Sequence, residues 1–299
     1  MEKFASKVYR SREGRHLLHN LYRKRLTAVG VPVTERMVTT RFGHTHVVLY
    51  GNPAGRPVLM FYGKNAINPV VASPFLRGLD MKRILLIVPD PAGCVGFSTE
   101  EKAPASDREH GEWACQVMDA LELPRAVVLG YSFGAMMALQ LCVSSVLRVE
   151  RLLLVTPSCI LRTPASRVSR LTRLAGKDGQ TLTDRLVAKT LAPLMPFPHD
   201  GLIEMTRMIL LHSEIKKEGR TPVRKSKLKK LNAPVYVVAE ESDCLFPGQK
   251  VIGRAKKIFP QLGGTRLLTT GSHYGFFRDE ASESVEECFA AMSAFLTGD

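Results

Sequence analysis

An α/β architecture, a mostly parallel sheet with helices on both faces and a helical insertion, follows from three features of this 299-residue chain. Short apolar runs recur along it: PVLMFYG (57–63), RILLIVPD (83–90), RAVVLG (125–130), RLLLVTP (151–157), PVYVVAE (234–240) and TRLLTT (265–270). Their apolarity is continuous rather than alternating, the mark of strands covered on both faces. The intervals between them hold a helix each, except for one of roughly 70 residues that is too long for a single crossover.

Taken in order, residues 1–32 form an extension in which Leu17, Leu18, Leu21, Tyr22 and Leu26 make the apolar stripe of a basic amphipathic helix that docks on the core. RMVTTRFGHTHVVLY (36–50) reads as two strands around Phe42 and Gly43, an antiparallel hairpin at the sheet edge. Ser106 and Glu109 form a capping box, with Trp113, Val117 and Leu121 following on one helical face. The long interval supplies a helical cap over 161–230, with helical stretches at 182–195 and 202–217 around the Pro-rich PLMPFPHDG. The core is then 33–160 and 231–299, because the sheet cannot close without its later strands. A final helix from Ser282 to Leu296, with Val285, Phe289, Met292 and Leu296 on one stripe, is expected to close the far edge of the sheet.

Composition narrows the function. Of the net charge of +14, residues 1–41 carry +7 and 161–230 carry +10, while 42–160 are neutral and 231–299 carry −3. These basic segments are read as solvated faces: the densest run, RKSKLKK (224–230), has no interleaved aromatics, and no nucleic-acid-binding motif accompanies it. Six cysteines (94, 115, 142, 159, 244, 288) without CxxC spacing are expected to be buried reduced thiols, and no zinc or other metal site is indicated. The charged opening MEKFASKVYRSREGR has no apolar core of signal-peptide length, and no later run is long enough to span a membrane, so a cytoplasmic location without integral membrane association is expected.

The chemistry concentrates in VVLGYSFGAMM (127–137), where Ser132 lies between Gly130 and Gly134. Composition alone would produce a G-x-S-x-G string about 0.1 times in this chain. Its context is more specific: an apolar strand precedes it and an apolar helix follows, and a sharp turn between the two needs small neighbours for the serine to project. A serine hydroxyl is a poor nucleophile near neutral pH, so it needs an imidazole to accept its proton and a carboxylate to fix the imidazole's tautomer. His273, in GSHYG after the last strand, is the only histidine C-terminal to the acids of 240–243. Among these acids Asp243, in ESDCLFP, lies beyond the strand and can reach back, whereas Glu240 and Glu241 sit at the strand end itself. The seven other histidines (16, 19, 44, 46, 110, 199, 212) are assigned mostly to the surface.

Through these residues, and their chain order of serine, acid, histidine, the sequence resembles the α/β-hydrolase superfamily over most of residues 43–298. The resemblance implies an α/β-hydrolase fold with a catalytic triad of Ser132, Asp243 and His273. It also implies an oxyanion hole formed by the backbone N–H of Phe133 and one from the loop FYGKNAINP, that of Lys64 or else Asn65. Asp90, in VPDPAGCVGFST, is similar to the family's Asp-x-x-Gly loop, which shapes the site without catalysing. The chain departs from the pattern at Tyr62-Gly63, where the family commonly reads His-Gly.

The expected activity is that of a cofactor-independent serine hydrolase, a carboxylesterase acting on a small-molecule ester through an acyl-serine. Leu191, Leu194, Met195, Phe197, Met205, Met208 and Leu211 of the cap would supply an apolar roof. Thioester, lactone, N-terminal-proline peptide and carbon–carbon bond cleavage, and perhydrolysis, occur on the same fold and remain open, as does a non-catalytic binding module; dehalogenation is disfavoured because it needs a carboxylate where Ser132 stands.

Overall fold

The computed structural model describes residues 5–101, 103–162, 174, 180–195, 197–215, 221–269, 271–278 and 282–299. Its centre is an eight-stranded sheet. The strands are β1 (Val33–Thr40), β2 (Gly43–Gly51), β3 (Arg56–Phe61), β4 (Ile84–Pro89), β5 (Ala126–Tyr131), β6 (Val149–Val155), β7 (Val235–Glu240) and β8 (Leu262–Leu268), in the spatial order β1-β2-β4-β3-β5-β6-β7-β8. The hairpin β1–β2 is antiparallel and lies at one edge, and β2 pairs antiparallel with β4; from β4 to β8 every pairing is parallel. Alternate residues of each apolar run point to opposite faces. Val58 and Met60 join one buried cluster while Leu59 and Phe61 join the other, which is why the runs are apolar throughout.

Helices cover both faces. On one lie α3 (Asp107–Ala120) and α4 (Gly134–Ser144), and α8 (Gly248–Ile258) follows over β7 and β8. The capping box at the start of α3 is present in full, since the Ser106 side chain accepts from the Glu109 N–H and the Glu109 carboxylate accepts from that of Ser106. The opposite face carries α2 (Asn68–Gly78) and α9 (Glu283–Thr297). Here the expected placement of the last helix is corrected. It packs against α2, β3, β6 and β8, over the middle of a face rather than along the edge. A sheet edge offers backbone groups, whereas the stripe Val285, Phe289, Met292 and Leu296 needs apolar side chains. Gly78 makes the approach possible, because a Cβ there would lie 2.3 Å from the Phe289 ring.

Helix α1 (Arg12–Thr27), capped by Ser11, buries Leu18, Leu21, Tyr22 and Leu26, with Leu17 half-buried. It meets the insertion, whose described helices are α5 (Asp184–Leu191), α6 (Asp200–His212) and the short α7 (Lys225–Leu228). Arg25 and Lys24 of α1 pair with Glu204 of α6, and a short antiparallel contact joins Tyr9 to Ser213, with Arg10 N–H donating to His212 and Glu214 N–H to Val8. That contact ends α6 at His212, short of the expected 217; residues 216 and 217, Pro196, Thr270 and much of 161–180 lie outside the described residues. Among the described residues no helix is long and apolar enough to cross a membrane.

Candidate active site

Parallel strands align their C-terminal ends, and the loops leaving β3, β5, β7 and β8 carry Lys64, Ser132, Asp243 and His273. The first two strands are adjacent, with Phe61 paired to Gly130, at the point where the chain reverses its direction of travel across the sheet. Open α/β sheets form their crevices at such a point.

Ser132 occupies the elbow between β5 and α4 with φ at 51°, a left-handed conformation costly for a residue with a side chain. The turn is held by Ser132 N–H donating to the Val155 carbonyl (3.0 Å) and by Ser158 N–H donating to that of Ser132 (3.1 Å). Its flanking glycines are a steric requirement: a Cβ at Gly134 would stand 1.9 Å from the Phe61 carbonyl oxygen, and one at Gly130 2.6 Å from the Ala135 Cα.

The structure brings Ser132, His273 and Asp243 into one line. Ser132 Oγ is 2.8 Å from His273 Nε2, and His273 Nδ1 is 2.8 Å from Asp243 Oδ2. A carboxylate only accepts, so Nδ1 carries the proton toward Asp243 and Nε2 is left to accept from the serine hydroxyl. Asp243 Oδ1 takes the N–H groups of Leu245 (2.7 Å) and Phe246 (3.1 Å). Burial alone would raise the pKa of Asp243, but the charge and hydrogen bond of His273 and these two N–H groups outweigh it, and the carboxyl is held below its usual range. The two rival acids stand elsewhere: Glu241 is exposed, and Glu240 is fully buried beside the His273 turn without touching the imidazole nitrogens. That turn also docks on the insertion, since Ser272 Oγ–H donates to the Pro193 carbonyl and Tyr274 N–H to that of Leu194, both at 2.9 Å.

Of the expected oxyanion donors, Phe133 is buried at the N-terminus of α4, where the helix dipole favours negative charge. Lys64 comes up beside it, its ammonium 5.2 Å from the Phe133 ring centre. In the same loop the Ile67 N–H donates to Met205 Sδ of α6 at 3.2 Å, so the insertion contacts this loop as well as the His273 turn. Leu191, Leu194, Met195 and Met205 are buried, and Phe197, Met208 and Leu211 are half-buried.

Beneath the loop that carries Lys64 lies a polar network that sequence reasoning did not find. Fully buried Asp90 accepts from Tyr62 Oη–H (2.9 Å), Tyr22 Oη–H (3.0 Å) and Asn68 Nδ2–H (2.9 Å) at Oδ1, and from Phe97 N–H and His46 Nδ1–H (both 3.0 Å) at Oδ2. His46 Nε2 reaches Glu35 at 2.7 Å. Burial disfavours the imidazolium of His46, yet the two carboxylates outweigh that penalty and raise its pKa. The assignment of most histidines to the surface is therefore corrected. His46 and His110 are buried, His110 at 2.7 Å from the Ser106 carbonyl; His19, His199 and His212 are half-buried, leaving only His16 and His44 exposed. The departure at Tyr62 was the available signal, because its phenol ties the start of the loop that carries Lys64 to Asp90. Among the described residues no group of three or more His, Cys, Asp or Glu side chains is placed to hold a metal ion.

Comparison with known proteins agrees with the fold. A family model described as alpha/beta hydrolase fold matches residues 47–197. The chain belongs to the alpha/beta hydrolase fold family. Among solved structures, carboxylesterase CesB (YbfK) from Bacillus subtilis is similar to this alpha/beta hydrolase with a TM-score of 0.81 at 17% identity, over 96% of this chain and 99% of that one. The naproxen esterase (carboxylesterase NP) from Bacillus subtilis gives 0.74 at 16%, over 92% and 94%. The meta-cleavage product hydrolase (CumD) from Pseudomonas fluorescens IP01 gives 0.69 at 16%, over 88% and 97%. Among curated proteins no sequence matches the chain. At these identities the structural likeness speaks for the fold, and the chemistry is argued from the side chains.

Proposed function

We propose that this alpha/beta hydrolase cleaves small or medium carboxylic esters through an acyl-serine intermediate, without a cofactor. The observation that carries the reading is the continuous proton path of two 2.8 Å contacts from Ser132 through His273 to Asp243. Esterases among the similar structures support it further.

In this mechanism Ser132 Oγ attacks the ester carbonyl carbon as its proton passes to His273 Nε2, and Asp243 offsets the charge of the imidazolium. The carbonyl oxygen becomes an oxyanion facing the backbone N–H groups of Phe133 and Lys64. When the C–O bond breaks, the imidazolium returns its proton to the departing alkoxide, leaving the acyl group on Ser132. Water then repeats the sequence and releases the carboxylic acid. The apolar side chains of the insertion favour an apolar acyl group over a charged one. A cytoplasmic location and a small-molecule ester as the partner, with no nucleic acid, belong to the same proposal.

The test is turnover of p-nitrophenyl esters of graded acyl length. Hydrolysis highest for short to medium chains is expected; no turnover of any ester, with cleavage of thioesters or carbon–carbon bonds instead, would overturn the substrate class.

A further inference from the structure

Glu240 ends β7 three residues before Asp243, and the relay does not use it, although its side chain is fully buried. Its carboxyl lies against the turn that carries His273. A Cβ at Gly275 would stand 2.2 Å from Glu240 Oε1, and one at Gly271 3.8 Å from the same atom. The side chain thus fills the notch left by the two glycines that bracket His273 at equal distance in sequence. A Cβ at Gly271 would also meet the Gly275 Cα at 2.8 Å, so the two ends of the turn close on each other above this carboxyl. Of the backbone groups only the Gly271 N–H comes close enough to favour its charge, and neither carboxylate oxygen makes a well-formed hydrogen bond among the described residues. A buried acid without such bonds is costly to keep ionised, and one held against a catalytic turn needs a reason to be there.

We propose that Glu240 is a positioning residue for the hydrolytic reaction, its carboxyl a strut beneath the 271–275 turn that sets the imidazole of His273 at the height where it meets both Ser132 and Asp243. This rests on the reading of those three residues as the relay. The strut is uncharged when it works. Burial pushes the pKa of Glu240 up to about 7, with the charge of Asp243 adding to the rise and the Gly271 N–H and the Arg278 guanidinium opposing it. The other titratable groups facing it are the Tyr131 phenol, which donates to the His273 carbonyl at 3.3 Å, and the Cys288 thiol of α9, itself pushed up to about 12 by burial and in part by Glu240. Loss of the Glu240 proton sets a second anion beside Asp243 within apolar surroundings, and the turn must shift to admit water.

Because the folded chain holds this proton more tightly than the unfolded chain, ionisation costs stability. The cost begins as pH rises above the ordinary carboxylate range and is complete above about 7. Glu240→Gln keeps the shape of the neutral acid and removes its titration. The experiment compares wild type and Glu240→Gln across pH 5 to 9 in melting temperature and in the rate of labelling by a fluorophosphonate; Glu240→Met replaces the Gln variant if that does not fold. The expected result has two parts. The melting temperature of the variant gains on that of the wild type as pH rises to about 7, and above that pH wild-type labelling falls at least about threefold relative to the variant. Parallel labelling profiles from a labelled wild type would overturn the positioning role and leave the hydrolase reading standing. No labelling of the wild type at any pH would instead overturn the hydrolase reading and the strut with it.

Discussion

Tyr62 and Tyr22 donate to the same oxygen of Asp90 at nearly the same distance, 2.9 and 3.0 Å, yet only Tyr62 leads directly into the proposed oxyanion loop. Tyr62→Phe and Tyr22→Phe each remove one hydrogen bond to a buried carboxylate, worth about 1.5–3 kcal/mol. At about 2 °C per kcal/mol for a chain of this size, each variant should melt about 3–6 °C lower. Catalysis separates the two. Tyr22 reaches Asp90 from α1, which carries none of the proposed catalytic groups, so its loss should leave kcat within about twofold. The loss of Tyr62 frees the segment that presents the Lys64 N–H, and because removal of a whole oxyanion donor costs about 10²–10³ in rate, a misplaced one should cost about 10¹–10². Melting by circular dichroism and ester turnover on both variants give the comparison. Equal kcat in the two would refute the role of Tyr62 as the anchor of the loop, and unchanged melting in both would refute the reading of Asp90 as the hub of the network.

Two further substitutions probe the packing and the relay. Phe289→Ala empties a buried site where the ring sits edge-on to Phe75 and Phe276 above Gly78, and should cost about 3–5 kcal/mol in urea unfolding; a loss below about 1 kcal/mol would contradict the placement of α9 on the sheet face. Asp243 has its folded pKa held below the ordinary value, so its stabilising contribution is present above about pH 4 and is lost as pH falls through the depressed folded pKa. Asp243→Asn should therefore melt below the wild type at neutral pH and approach it in acid, and a constant gap across pH 2–7 would contradict the linkage.

What the sequence disclosed and what it concealed follow from the range of the interactions. The strands were legible because burial on both faces leaves a continuous apolar run, and the elbow because its glycines answer to local sterics. The start of β8 was not, since Gly263 and Gly264 give no apolar signal where the backbone pairs with β7. The order of the three residues of the proposed triad was legible along the chain because parallel strands deliver their loops to one edge, so position relative to a strand end stands in for position in space. The Asp90 network had no such proxy: it gathers residues 22, 35, 46, 62, 68 and 97 from six separate elements or loops, and only the folded backbone shows which polar groups share a buried site. Glu240 was visible as a competing acid, but its burial against Gly275 depends on the shape of a turn that begins some 30 residues later. The pairing of Tyr9 with Ser213 was hidden for the same reason.

The most direct measurement is the site and consequence of covalent capture at the serine. A fluorophosphonate adduct mapped by mass spectrometry should lie on Ser132, and Ser132→Ala should abolish it while lowering ester turnover by about 10³-fold or more. Undiminished turnover in that variant, or an adduct on another residue, would contradict the assignment of Ser132 as the nucleophile.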